Sequence, residues 1–186
     1  MNDLFISYAH IDDLPISEDQ KGWISEFHRV LQNRLAQLMG EKPKIWRDQK
    51  LSGSDIFDNE IVDQFKNTKL MVSVLSPRYI KSEWCNKEIK EFYRNAELSS
   101  GVALAGKSRV LKVVKTPYDP QDVHPELKQV FGSVLGFNFY DFDNDSGKVV
   151  EYNEAFGKEA RQNYFTRIYD LAYEICEILK KSDSKS

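Results

Sequence analysis

Trp84 and Glu88 stand four residues apart in the segment Ser82-Glu83-Trp84-Cys85-Asn86-Lys87-Glu88. In a helix, that spacing places an aromatic ring and a carboxylate one above the other. Cys85, Ile89, Phe92 and Ala96 then form the apolar stripe, and at 3.6 residues per turn Trp84 and Glu88 each lie about 100° from it. Such a pair offers a flat surface to a planar ring and an anion beside it. The bland alternatives are a solvated helix glutamate and a tryptophan packed on the following loop. Other polar residues close apolar runs: Ser7 and Tyr8 after Leu4-Phe5-Ile6, with His10 just beyond, Arg47 and Asp48 after Lys44-Ile45-Trp46, and Ser76 after Leu75. Each has an ordinary reading too. Arg47-Asp48 suits a loop ion pair, Ser76-Pro77 the end of a strand, and His10 an exposed loop. They become a site only if the fold brings them to one rim.

The elements that would do so can be read along the chain. Leu4–Tyr8 is a short apolar run that suits a strand buried on both faces. Ile24, Phe27, Leu31, Leu35 and Leu38 recur at helical spacing, and Gly40 falls where a C-terminal cap belongs. Pro43 opens a second strand over 44–47. A polar turn over 48–54 comes next, then a short amphipathic helix with Phe57, Ile61 and Phe65, for which Ser54 or Asp55 offers a cap. Leu70–Leu75 reads as a central strand ended by Ser76-Pro77. Ser82 caps a helix running to about Leu98, with Glu83 favourably placed in its first turn. Strands are expected at 109–114 and 135–140, with a short helical stretch at 126–130 between them. Asn144-Asp145-Ser146-Gly147 is turn chemistry between 139–142 and 149–152, which predicts a hairpin. A last helix carries Phe165, Ile168, Leu171, Ala172, Ile175 and Leu179. Alternating strands and helices argue for an α/β doubly wound fold. We expect a flavodoxin-like three-layer sandwich, a five-stranded parallel sheet in the order 2-1-3-4-5 with helices on both faces. Ligands then gather outside the carboxyl ends of the strands, where all eight candidate residues fall. Residues 1–180 are expected to form one domain, with 181–186 a polar tail or the start of a linker.

Composition removes several functional classes. A net charge of −3, spread over many charges of both signs, gives no electrostatic footprint for a phosphate backbone, so nucleic acid is not expected as a direct ligand. Cys85 and Cys176 are far apart and, with His10, His28 and His124, show no metal-ligand spacing, so no metal is expected. No apolar run approaches the roughly 20 residues needed to cross a bilayer. The chain enters its first strand without a basic start or a cleavable apolar segment, and a cytoplasmic protein without membrane partners is expected. No Gly-rich dinucleotide fingerprint is present, which disfavours a redox use of NAD⁺.

Over about residues 2–98 the sequence resembles the TIR (Toll/interleukin-1 receptor) domain family, in its bacterial NAD⁺-consuming form. Leu4-Phe5-Ile6-Ser7-Tyr8 looks like its first box. Trp46-Arg47-Asp48 with Leu51-Ser52-Gly53 resembles the second strand and the BB loop, and Ser76-Pro77-Arg78-Tyr79 with Ser82–Glu88 resembles the third-strand exit and the Trp-Cys-x-x-Glu helix. Ser52 stands where the family usually has proline, and His10 where some enzymatic members carry a basic residue. The resemblance implies an NAD⁺ glycohydrolase or ADP-ribosyl cyclase with Glu88 as its catalytic carboxylate. Ser7, Tyr8, His10, Arg47, Asp48, Ser76 and Trp84 are implied as substrate-binding residues. NAD⁺ is substrate rather than cofactor. It also implies head-to-tail self-association with other TIR domains, a fused or separate sensor module, and a role as an immune effector against phage. The rival implication is a TIR–TIR signalling scaffold without turnover.

Overall fold

The computed structural model describes residues 2–47, 59–99, 101–132, 134 and 136–183. Its centre is an all-parallel sheet built from β1 (Asn2–Tyr8), β2 (Ile45–Arg47), β3 (Thr68–Leu75), β6 (Val110–Val114) and β7 (Gly136–Asn138), ordered β2-β1-β3-β6-β7. Counting only these strands, the order is 2-1-3-4-5, as the alternation of elements predicts. Leu4 lies beside Ile45 on one side and Leu70 on the other, and Ser7 beside Ser73. β1 and β3 carry the apolar runs Leu4–Ile6 and Leu70–Val72 because parallel strands are covered on both faces. Their two-residue period sorts side chains into two cores. Leu4, Ile6, Leu70, Val72 and Val74 face one, and Phe5, Met71 and Leu75 face the other.

The first core is closed by α1 (Trp23–Met39) and α6 (Lys158–Asp183), the second by α2 (Asn59–Lys66), α3 (Pro77–Lys81), α4 (Glu83–Leu98) and α5 (Pro125–Phe131). Gly40 ends α1 at φ 81°, the left-handed cap that glycine adopts without a Cβ penalty. At the other end of α1, the Asp13 carboxylate accepts from the Ser25 N–H (2.7 Å) and hydroxyl (2.7 Å) and so caps the helix. Asp13 approaches so closely that a Cβ on Gly22 would lie 1.9 Å from its carbonyl oxygen, and only glycine fits there. Ser82 caps α4 by accepting from the Cys85 N–H at 3.3 Å.

Several elements differ from the sequence reading. A 3₁₀ turn (His10–Asp13) occupies part of the expected polar loop, and Pro77 starts α3 instead of merely ending β3. A small hairpin, β4 (Ala103–Leu104) with β5 (Lys107–Ser108), precedes β6. Arg109 falls just before β6, and its buried guanidinium donates to the carbonyls of Thr68 (2.6 Å) and Lys69 (2.8 Å), tying the strand to the start of β3. The predicted hairpin is β8 (Tyr140–Phe142) paired antiparallel with β9 (Val149–Glu151). Asp48, the rest of the 48–54 turn, the Ser54 or Asp55 cap, Phe57 and Leu135 lie outside the described residues. Among the described residues no helix is long and apolar enough to cross a membrane.

Candidate active site

Ser7 is the last residue of β1 to face α4, and Glu88 meets it there. Glu88 is only 2% exposed, so it is not a solvated helix glutamate. Its angular position explains why. At about 100° per residue it stands 100° from Ile89 but only about 60° from Cys85 and 40° from Phe92, on the margin of the buried stripe. Both carboxylate oxygens are engaged. The Ser7 hydroxyl donates to Oε2, and the Trp84 indole N–H donates to Oε1 at 3.1 Å. The i, i+4 pair of the sequence is therefore a direct hydrogen bond. Trp84 itself is half-buried against the α4-side core.

Two residues that sequence reasoning did not assign to the site belong to it. The fully buried Tyr79 places its hydroxyl 2.9 Å from Ser7 Oγ. Since the Ser7 proton is committed to Glu88, the phenol is the donor of that pair. Burial, then the neighbouring Cys85 and Glu88, push the Tyr79 phenol well above its ordinary value, which keeps it protonated. Asp12, in the 3₁₀ turn, accepts from the Ser76 hydroxyl at 2.6 Å. Burial raises its carboxyl above the ordinary range, partly offset by the Ser76 hydrogen bond and by Lys115. The same Ser76 oxygen accepts from the Tyr79 N–H at 3.1 Å, capping α3. Ser76 thus belongs to the site at one remove, through Tyr79. The Ser76-Pro77 pair, a cap followed by proline at the first helical position, was the signal for α3.

Cys85 lies beside Glu88 but is no nucleophile. Its thiol faces the Tyr8 carbonyl at 3.6 Å, and burial followed by the Glu88 charge drives it far above the normal thiol range.

The remaining described candidates, Tyr8, His10 and Arg47, gather on the opposite face of the sheet. Tyr8 points into the α1-side core, with the His10 ring stacked on it at 5.4 Å. Arg47 ends β2 on that same side, its guanidinium 5.8 Å from the Tyr8 ring. That guanidinium donates to Asp13 at 3.1 Å and to Ser25 Oγ at 3.0 Å. Its charge is met inside the protein. The structure therefore brings Ser7, Trp84 and Glu88 together, attaches Ser76, and sets Tyr8, His10 and Arg47 apart as a second group. A cleft of about 210 Å³ lies on the α1 and α6 side, lined among others by Lys21, Trp23, Glu26, Glu154 and Tyr164, and it includes none of the expected residues. Among the described residues no cluster of His, Cys, Asp or Glu has the makings of a metal site.

The family model described as TIR domain matches residues 4–149. The chain belongs to the TIR family. That match spans both groups of rim residues and extends beyond the stretch over which the resemblance was read. No curated protein matches the sequence. Among solved structures, the chain is similar to the TIR domains of the activated Roq1 resistosome directly recognising the pathogen effector XopQ. That likeness covers 93% of this chain and 84% of that chain at 17% identity, with a TM-score of 0.42.

Proposed function

We propose that this TIR domain cleaves the nicotinamide–ribose bond of NAD⁺ and that Glu88 is the catalytic carboxylate. The observation that supports this most is the Glu88 carboxylate, fixed from both sides at the carboxyl edge of a parallel sheet by Ser7 and Trp84. Breaking the bond sends its electron pair to the ring nitrogen, so nicotinamide leaves neutral and the ribose becomes oxocarbenium-like. A carboxylate held in place beforehand stabilises that cation without reorganising at the moment of reaction. Water attacking the ribose carbon gives ADP-ribose and a proton. Attack by adenine N1 or a ribose hydroxyl gives a cyclic product. Trp84, adjacent to Glu88, is the surface on which a planar base would stack. Tyr8, His10, Arg47 and Asp48 complete the proposed substrate contacts. Other TIR domains are the proposed partners, by head-to-tail association. The setting is a cytoplasmic immune effector working with a fused or separate sensor, and residues 1–180 act as one domain.

One observation favours the rival, a TIR–TIR scaffold without turnover: Glu88 is 2% exposed and both its oxygens are engaged. The test is NAD⁺ consumption by wild type and Glu88→Ala over a wide concentration range with a crowding agent, with products resolved by mass spectrometry. Turnover that disappears in a folded Glu88→Ala protein supports the enzyme, and the product mass separates hydrolase from cyclase. Equal, near-zero rates in both at assembling concentrations favour the scaffold.

A further inference from the structure

Tyr79 joins two hydrogen-bonded segments, one reaching the half-buried Asp12 through its backbone N–H and the other reaching the buried Glu88 through its hydroxyl. From one end, Ser76 donates to Asp12 at 2.6 Å and accepts from the Tyr79 backbone N–H at 3.1 Å. From the other, the Tyr79 hydroxyl meets Ser7 Oγ at 2.9 Å, and Ser7 donates to Glu88. A serine hydroxyl carries one proton on a free rotor and two acceptor lone pairs. Left alone, it could turn that proton away from Glu88. A donor directed into its lone pair removes this freedom. The Tyr79 phenol, neutral in its fully buried position, is such a donor. Tyr79 cannot swing away easily either, because its backbone is anchored by Ser76.

We propose that Tyr79 is a positioning residue for Glu88: by donating to the Ser7 oxygen it commits the Ser7 proton to Glu88 and fixes the carboxylate against Trp84. This rests on the reading of Glu88 as the working carboxylate. The simpler account is a buried tyrosine whose hydroxyl takes the nearest acceptor with no consequence for Glu88. Removing one oxygen atom while keeping the ring separates the two accounts, because only the first couples that oxygen to Glu88.

The test is Tyr79→Phe in the full chain, with two readouts. The first is the set of indole N–H signals in a ¹⁵N–¹H correlation spectrum. The chain has three tryptophans. Trp84 donates to Glu88, Trp23 donates to the Tyr152 carbonyl at 3.1 Å on the far face and serves as a control, and single Trp→Phe variants assign all three. We expect the Trp84 signal to move and the Trp23 signal to stay. The second readout is NAD⁺ turnover, where we expect kcat to fall about tenfold with KM unchanged, the size of one lost hydrogen bond. A folded Tyr79→Phe protein with an unmoved Trp84 signal and full kcat overturns the proposal. If Tyr79→Phe does not fold, 3-fluorotyrosine at position 79, a stronger donor of nearly the same size, takes its place, and an unmoved Trp84 signal there overturns it equally. The indole readout needs no turnover. A wild type inactive on NAD⁺ whose Trp84 signal still responds to position 79 defeats the enzyme reading and leaves the positioning role standing.

Discussion

The two faces of the sheet at its carboxyl edge hold their acids by different groups. On the α1 side, Arg47 and Asp13 neutralise each other at 3.1 Å, with side chains only 12% and 20% exposed. The pair also caps α1 through Ser25 and fixes the turn that leads out of β1. Little potential is left over, so this face is built to hold. On the α4 side, Glu88 is met by a serine hydroxyl and an indole N–H, both neutral. Those two donors fix the position of the carboxylate and bring no charge of their own. On the proposed function, the face that would act on a cation forming in a substrate is the one whose acid is positioned by a hydroxyl and an indole. The other face holds β1 and its exit turn in position.

The sharpest way to break this contrast is Glu88→Gln, which keeps shape and removes charge. NAD⁺ cleavage should fall by about 100-fold or more, since the charge is what stabilises the transition state. Stability should also drop, by about 1–3 kcal/mol. An amide that keeps its oxygen on the Trp84 indole turns its NH₂ toward Ser7, whose hydroxyl must then accept, and the Ser7–Tyr79 hydrogen bond has to reverse or lose a partner. Product formation followed by mass spectrometry, together with a thermal melt, checks both. Retained turnover would mean that Glu88 is a structural acid like those of the opposite face.

Asp13→Ala tests the holding face, and its effect should fall on folding. It removes the cap of α1, worth about 1 kcal/mol, and leaves the largely buried Arg47 without its carboxylate, a loss that costs more than the pair itself contributes. We expect a loss of about 3 kcal/mol in urea denaturation, with kcat per folded molecule close to wild type and KM raised, since Asp13 holds the proposed substrate contact Arg47. A fall in kcat of the size seen at Glu88 would show that Arg47, released from Asp13, governs the chemistry as well.

The range of each interaction decided whether the sequence conveyed it. Leu4–Ile6 and Leu70–Val72 announced buried parallel strands because every residue in them is apolar, and Gly40 and Ser82 marked helix ends because capping is local. Trp84 and Glu88 were readable as a pair for the same reason. The burial of Glu88 was not, partly because Glu88 stands at the margin of the apolar stripe, 100° from Ile89 yet close to Cys85 and Phe92, at about 100° per residue. The rest of the reason is that one of the donors that make its burial tolerable is Ser7, 81 residues away. Tyr79 and Asp12 escaped notice because their partners lie 72 and 64 positions off. The split between the faces was legible in principle. Ser7 and Tyr8 are consecutive in a strand, so they must point to opposite sides of the sheet. The carboxyl ends of the strands define one rim, but that rim has two faces.

The smallest expected effect concerns Asp12, which belongs to the acting side through Ser76 yet resembles the holding side in feeling both Lys115 and Glu151. Lys115 lowers its carboxyl value and Glu151 raises it, and the two are paired with each other at 3.1 Å. Burial is the largest influence and leaves the folded value above the ordinary 3.8. Between the unfolded and folded values the native state then holds more protons than the unfolded chain. Stability therefore falls as pH rises through that window, and the penalty is complete above it. Asparagine carries no charge at any pH and still accepts from Ser76 through its carbonyl oxygen. Asp12→Asn should accordingly raise the melting temperature at pH 7, and the gain should shrink as the pH is lowered toward 3.8. Paired thermal melts of wild type and variant across about pH 4–8 measure this as a difference curve, in which titrations common to both proteins cancel. A variant less stable than wild type at pH 7 would show that the attraction of Lys115 outweighs burial. Asp12 would then belong with Asp13 as an acid whose charge the fold uses for holding.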